Sequence, residues 1–169
     1  KELYGSFRSG NFQNEIKYQT YTDFSDMPSG QGEMTHINFK PNGNPTQLNG
    51  DWDFPYFFYD YDQNVISTKE TLIDWSQWLM DSVSIGGLRM DAIKHFDPVF
   101  VSDLLDSLHA RNQTPSLVVG EFYDSNPFLL RDWVATVENN MTQAAKDDIQ
   151  VRIFDFGLRD NLEKACDMF

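Results

Sequence analysis

Apolar and polar positions follow two alternating periods from about residue 67 onward. Apolar residues recur at helical spacing in four stretches, and short apolar runs stand between them. The helical stretches are 67–82, 98–111, 127–137 and 157–167. The predicted apolar stripe of the first is Leu72, Trp75, Trp78 and Leu79, and that of the third is Phe128, Leu130, Trp133, Val134 and Val137. The apolar runs are 84–91, 116–122 and 150–156. This pattern predicts one helix followed by three strand–helix units.

Helix starts are marked by capping residues. Asp97-Pro98 and Asn126-Pro127 each place an N-cap residue before a proline at the first helical position. Ser67 and Glu70 have the spacing of a capping box for the first helix. The helices of the first two strand–helix units are thus predicted to begin at Pro98 and Pro127.

Residues 1 to about 50 show no sustained period of either kind. Gly, Asn, Pro and Ser recur there as turn formers. Short strands are predicted at Glu15–Tyr21 and Met34–Phe39. A loop-rich segment of this length is usually functional or a subdomain. We therefore predict an irregular subdomain over 1–66 and an α/β part over 67–169.

Alternating strands and helices predict a parallel sheet with helices outside and right-handed crossovers. The run SLVVGEF, 116–122, is typical of a strand buried on both faces. Three strand–helix units cannot close an eight-stranded barrel, which takes about 250 residues. The fold class is α/β, either a small open sheet or part of a (β/α)8 TIM barrel.

Composition and charge limit the classes of partner that the protein is expected to bind. The chain has 169 residues and a formal net charge of −13, which argues against a nucleic-acid partner. No apolar run reaches the length of a membrane span, so no membrane partner is expected. The single cysteine, Cys166, excludes an internal disulfide and a zinc framework. Aromatic residues make up 15% and suit either core building or stacking on sugar rings.

Charged residues cluster where the strand at 84–91 ends. Arg89 and Asp91 are two apart and should project to one face, with Lys94 and His95 just beyond. Glu121 ends the next strand, about 30 residues later, so the two carboxylates should lie close together. Paired carboxylates are the machinery of glycoside cleavage. Arg89 is expected to lower the pKa of Asp91 and keep it ionised.

These residues also have a structural interpretation. On chemistry alone, Arg89 and Asp91 fit an ion pair at a strand end as well as they fit a catalytic site. Asp155 ends the third strand and is predicted to be structural. Residue chemistry leaves the choice open.

Four motifs resemble the α-amylase family, glycoside hydrolase family 13. GLRMDAIKH at 87–95 is similar to the family's G-x-R-x-D-x-x-K-H signature after barrel strand 4. VVGEF at 118–122 resembles the strand 5 motif, and IFDFGLRDNLEKAC at 153–166 resembles strand 6 with its helix. YDYDQNV at 59–65 resembles the return from the inserted B domain. The resemblance implies that 1–66 is B-domain-like and that 67–169 is a partial barrel.

The resemblance also implies roles for single residues. Asp91 would be the nucleophile, Glu121 the acid/base and Arg89 the partner of Asp91. The implied substrate-binding residues are Lys94, His95, Phe122 and Tyr123. The implied reaction is retaining hydrolysis or transfer at α-1,4-linked glucan, as in starch.

The sequence departs from the family at two motifs. The Asn-His pair of strand 3 has no counterpart, nor has the strand 7 motif with the third catalytic aspartate. The expected function is therefore a fragment of an α-amylase-type hydrolase, inactive when isolated, with the rest of the barrel as partner.

The predictions of a calcium site and of a cellular location rest on the resemblance alone. Family members often bind calcium between the B domain and the barrel, which implies a site near Asp60, Asp62 and His95. The asparagine that the family uses there has no counterpart. Because family members are often exported, an extracellular or periplasmic location is favoured.

Two other function classes remain open. One is a non-catalytic fragment that binds glucan or a protein partner. The other is a metal-dependent barrel hydrolase with Asp91, His95 and Glu121 as ligands, although one histidine is few for a catalytic metal.

Overall fold

The computed structural model of the protein describes residues 2–8, 15–21, 38–40, 60–95 and 97–167. The chain divides into two compact units, Lys1–Trp75 and Ser76–Phe169. The division falls within helix α1, Ile66–Asp81, which confirms the first predicted helix. The predicted domain boundary after residue 66 stays a prediction.

The first unit contains two antiparallel strand pairs. Strand β1, Glu2–Arg8, pairs with β2, Glu15–Tyr21, and β2 is the strand predicted there. The sequence pattern did not predict β1, because a strand's stability depends on its partner more than on local preference. Strand β3, Phe39–Lys40, pairs with β4, Asp60–Tyr61. Of the strand predicted at 34–39, all but the last two positions lie outside the described residues.

Buried Asn38 connects this segment to the start of α1. Its side-chain amide donates to Ser67 Oγ at 3.0 Å and to Thr68 Oγ1 at 2.8 Å. Its carbonyl accepts the backbone N–H of Asp62 at 2.9 Å. The helix begins at Ile66, so Ser67 lies inside the first turn and the predicted capping box is wrong.

Helix α1 does not bury the tryptophans that helped to predict it. Trp75 is 54% exposed and Trp78 is 46% exposed, whereas Thr68, Ser76 and Gln77 are buried. The apolar spacing thus identified the helix correctly but not its buried face.

The second unit is built on a three-stranded parallel sheet of order β5-β6-β7. The strands are β5, Gly87–Met90; β6, Leu117–Gly120; and β7, Val151–Ile153. The helices are α2, Pro98–Ala110; α3, Pro127–Asn140; α4, Gln143–Asp148; and α5, Phe156–Cys166. The predicted strand–helix units are confirmed. The sequence pattern missed α4, because six residues are too few for a helical period to show.

Asx side chains start three of these helices. Asp97 accepts the N–H of Val99 at 2.9 Å, and Asn126 accepts that of Phe128 at 3.0 Å. Both predicted N-caps are therefore confirmed. Asp155 accepts the N–H of Leu158 at 2.8 Å and caps α5, which confirms its structural role.

One face of the sheet is buried and the other is not. Val118 and Gly120 of β6 are buried, whereas Leu117, on the opposite face, is 44% exposed. The core on the buried side includes Val101, Leu105, Leu108, Val118, Val137 and Val151. The prediction that β6 is buried on both faces is thus wrong for the described residues. The open face is the one that Arg89 shares with Leu117 and Val119 by register.

Helix α3 corrects one further expectation. Trp133 and Val137 are buried as predicted, but Phe128 is 75% exposed. Phe128 precedes Val137 by nine residues, or about two and a half turns, which places the two on opposite sides of the helix.

The described part of the chain confirms an α/β fold with a small parallel sheet. A closed barrel is not seen in it. None of the described helices combines the length and the apolar character that crossing a membrane requires.

Candidate active site

The candidate site lies where β5 and β6 end side by side. Met90 is opposite Gly120 in the register, and the N–H of Glu121 donates to the carbonyl of Met90 at 2.9 Å. Asp91 and Glu121 therefore follow at the same level. Because side chains alternate along a strand, Arg89 and Asp91 project to the open face together with Glu121.

Arg89 joins the two carboxylates. Its Nη1 donates to Asp91 Oδ1, and its Nη2 donates to Glu121 Oε2 at 2.5 Å. The planar guanidinium group offers donors in a fixed fork, which matches two acceptors at once. The expectation that the carboxylates lie close together is borne out by this shared partner.

The two carboxylates occupy different surroundings. The Asp91 side chain is 73% exposed, whereas that of Glu121 is 27% exposed. Hydrogen bonding with the Glu121 side chain, and then with Arg89, lowers the pKa of the Asp91 carboxyl group. Asp91 is thus held ionised, as the sequence predicted from Arg89 alone.

The residues after Asp91 form a 3-10 turn, Ile93–His95. Ala92 has a φ of 49°, which bends the chain sharply away from β5. Fully buried Ile93 fastens the turn, since its N–H donates to the Glu121 carbonyl at 3.0 Å. A backbone hydrogen bond therefore ties the turn to Glu121 at the end of the neighbouring strand.

Lys94 and His95 are placed differently by this turn. The Lys94 ammonium donates to the backbone carbonyl of Tyr123 at 3.2 Å. The His95 side chain is half-buried. Sequence reasoning placed Lys94 against the sugar, and the structure places its ammonium on the segment after Glu121.

An aromatic group borders the carboxylates. Tyr123 is 60% exposed, and its ring meets the ring of Phe156 edge-on with centroids 5.0 Å apart. Phe156 also meets Phe154 edge-on at 6.4 Å, and the Arg89 guanidinium carbon lies 5.9 Å from the Phe154 ring centroid. Phe122 is half-buried. Sequence reasoning missed Phe154 and Phe156, although their place at the carboxyl end of the third strand was a signal.

The described side chains do not form a metal site. Asp62 is buried in the first unit, and its Oδ1 accepts the N–H of Asn64 at 3.0 Å, an ordinary turn contact. Among the described residues, no group of three or more His, Cys, Asp or Glu could hold a metal ion. Asp91, His95 and Glu121 are thus not arranged as metal ligands, which overturns the metal-dependent alternative. The calcium site stays a prediction from the resemblance.

Several known proteins are similar to part of this chain, although no family model matches it. An α-amylase of Geobacillus stearothermophilus is 26% identical over 94 residues, covering 56% of this chain and 17% of that protein. A glucan 1,4-α-maltohexaosidase of Bacillus sp. strain 707 is 24% identical over 117 residues, covering 69% of this chain and 20% of that protein. A β/α-amylase of Paenibacillus polymyxa is 24% identical over 129 residues, covering 76% of this chain and 10% of that protein.

Among solved structures, an Anoxybacillus α-amylase matches with a TM-score of 0.46 and 17% identity, over 54% of this chain and 22% of that one. The chain spans between a tenth and a fifth of the length of the curated relatives that it matches. These relatives confirm the resemblance read from the motifs: part of this chain is distantly similar to proteins named α-amylase, glucan 1,4-α-maltohexaosidase and β/α-amylase.

Proposed function

We propose that this chain carries the nucleophile and the acid/base of a retaining, α-glucan-active glycoside hydrolase. The observation that carries the proposal is the bridge from Arg89 to both Asp91 and Glu121 at adjacent strand ends. In barrels of this kind, the catalytic residues lie at the carboxyl ends of the parallel strands.

The two carboxylates take different roles in the proposed mechanism. Ionised Asp91 attacks the anomeric carbon, forming a C–O bond while the glycosidic C–O bond breaks. Glu121 gives its proton to the departing oxygen and then takes one from the water that cleaves the covalent intermediate. The lowered pKa of Asp91 supports its role as nucleophile, since the ionised form is the one that attacks.

Other groups complete the proposed site. Lys94, His95, Phe122 and Tyr123 lie in or after the same strand ends and are proposed to serve the sugar on the leaving-group side. The third catalytic carboxylate has no counterpart in this sequence, so the proposal assigns it to barrel strands outside these residues. The proposed substrate is an α-1,4-linked glucan such as starch, and the chain alone is proposed to be inactive.

A chimaeric barrel tests the proposal. Residues 67–167 replace the corresponding segment of an α-amylase, so that the third carboxylate comes from the host. Glu121→Gln should lower turnover of maltohexaose by about 10²–10⁴-fold, as removal of a general acid does. Asp91→Asn should abolish turnover, and Asp132→Asn, on the surface of α3, is the matched control.

The product decides between mechanisms. Proton NMR of the first product should show the α-anomer, the signature of retention. A folded chimaera whose Asp91→Asn form keeps full turnover would overturn the proposal.

A non-catalytic glucan-binding fragment is the second candidate. The observation that favours it is the exposed Tyr123 ring beside an open sheet face. Under this alternative the 169-residue chain still binds maltohexaose, but the folded chimaera shows no turnover even with Asp91 and Glu121 intact.

A further inference from the structure

Four side chains form a continuous series of contacts from the carboxylates to an exposed ring. Arg89 holds Asp91 and Glu121 and lies over the Phe154 ring. Phe154 meets Phe156 edge-on, and Phe156 meets Tyr123 edge-on, with interplanar angles of 89° and 71°. Edge-to-face contacts of this kind favour one mutual orientation of the rings.

The backbone fixes the two phenylalanines in this series. The N–H of Phe154 donates to the Gly120 carbonyl at 3.0 Å, one residue before Glu121. The N–H of Phe156 donates to the Phe154 carbonyl at 3.1 Å, which sets one ring relative to the other. A side chain at Gly157 would come within 3.1 Å of the Ser125 carbonyl, so α5 begins in close contact with the segment after Tyr123.

Tyr123 is held although it is largely exposed. Lys94 binds its carbonyl, and Phe156 contacts its ring edge. Interaction with the Tyr123 side chain raises the pKa of the Arg159 guanidinium. Tyr123 is thus held at its backbone carbonyl and at one edge of its ring, and it presents a largely exposed aromatic surface two residues after Glu121.

We propose that Phe154 and Phe156 are positioning residues that set the Tyr123 ring relative to the Arg89-bound carboxylates, so that Tyr123 carries a glucan ring of the leaving group. This inference rests on the proposed function, because it takes the ligand to be an α-glucan. The C–H face of a pyranose ring stacks on an aromatic face, and stacking is productive only where the ring is already in place. Lys94 contributes to the same positioning, because its ammonium group binds the backbone carbonyl of Tyr123.

The test measures maltohexaose binding by the 169-residue chain with NMR and calorimetry. Phe156→Leu keeps an apolar side chain but removes the edge contact, and should weaken binding about 3- to 10-fold. Phe156→Tyr, which retains the ring, should restore it. Phe128→Leu, on the exposed start of α3, is the matched control and should leave the affinity unchanged.

A second variant separates positioning from general damage. In a Tyr123→Ala background, Phe156→Leu should cause no further loss, because its effect passes through the Tyr123 ring. The aromatic carbon resonances of Tyr123, assigned with Tyr123→Phe, should shift in Phe156→Leu and in Phe154→Leu.

The outcomes distinguish this inference from the function beneath it. Unchanged affinity in Phe156→Leu, or an equal loss in the Tyr123→Ala background, overturns the positioning role while glucan binding stands. A wild-type chain that binds no maltohexaose at millimolar concentration overturns the glucan assignment, even where the Tyr123 resonances still respond to Phe156→Leu.

Discussion

Arg89 lies on β5 and Glu121 directly follows β6, 32 positions later in the chain, and a hydrogen bond of 2.5 Å joins their side chains. The same guanidinium group binds Asp91, two residues along its own strand. One cation thus holds two carboxylates that would otherwise repel each other. The mutual placement of the two groups depends on the parallel register of β5 and β6.

Replacing Arg89 should raise the pKa of Asp91. Arg89→Met removes a hydrogen bond and a positive charge that favour the ionised form of Asp91. Carbon-13 NMR titration of the Asp91 carboxyl should show its pKa shift towards the ordinary value of about 3.9.

Stability should follow the same titration. In the wild type, the stabilisation from ionised Asp91 is present above the unfolded pKa and is lost as pH falls through the lower folded value. Arg89→Met should therefore make unfolding less pH-dependent below about pH 4. Arg152→Met is the control, since Arg152 is bound to Gln150 instead. An unchanged Asp91 titration in Arg89→Met would contradict this account.

Gly120→Ala should destabilise the second unit by about 1–3 kcal/mol. A Cβ at Gly120 would lie 2.3 Å from Ile93 Cδ1, and Ile93 is fully buried and has little room to move. Urea unfolding followed by circular dichroism measures the loss. Gly86→Ala is the control, because its Cβ would meet only Ser116 Oγ at 3.7 Å. Equal stability of the two variants would contradict this prediction and would show that the 3-10 turn accommodates the added methyl group at little cost.

Leu105→Ala should cost about 2–5 kcal/mol of unfolding free energy. Leu105, on α2, is fully buried, so its truncation leaves a cavity. Leu162→Ala, on α5, should stay within about 0.5 kcal/mol, because Leu162 is 58% exposed. A large loss in Leu162→Ala would show that the exposed face of α5 is covered in solution.

The 169-residue chain alone should release no reducing sugar from starch. The third carboxylate of the proposed mechanism has no counterpart in the sequence, and the reaction needs the full set. A reducing-sugar assay with intact α-amylase as positive control measures this. Turnover that disappears in Glu121→Gln would show that two carboxylates suffice.

Much of the second unit could be predicted before the structure was known. Asp97 and Asn126 marked helix starts because capping is a local interaction between neighbouring residues. The parallel sheet followed from strands that alternate with helices. Buried faces were harder to predict, as Trp75 and Phe128 show, because burial depends on what lies opposite in space.

The sequence by itself determined which residues are proposed to carry the chemistry: Arg89, Asp91 and Glu121 were singled out by motif and spacing. Only the tertiary structure decided that one guanidinium group binds both carboxylates and that Lys94 binds the Tyr123 backbone. It also decided that the Phe154 and Phe156 rings form the contacts between Arg89 and Tyr123. The physical reason is the distance along the chain over which each kind of interaction acts. Capping and periodicity act over a few residues, whereas these contacts join strand ends about 30 to 65 residues apart and exist only once the parallel register has formed.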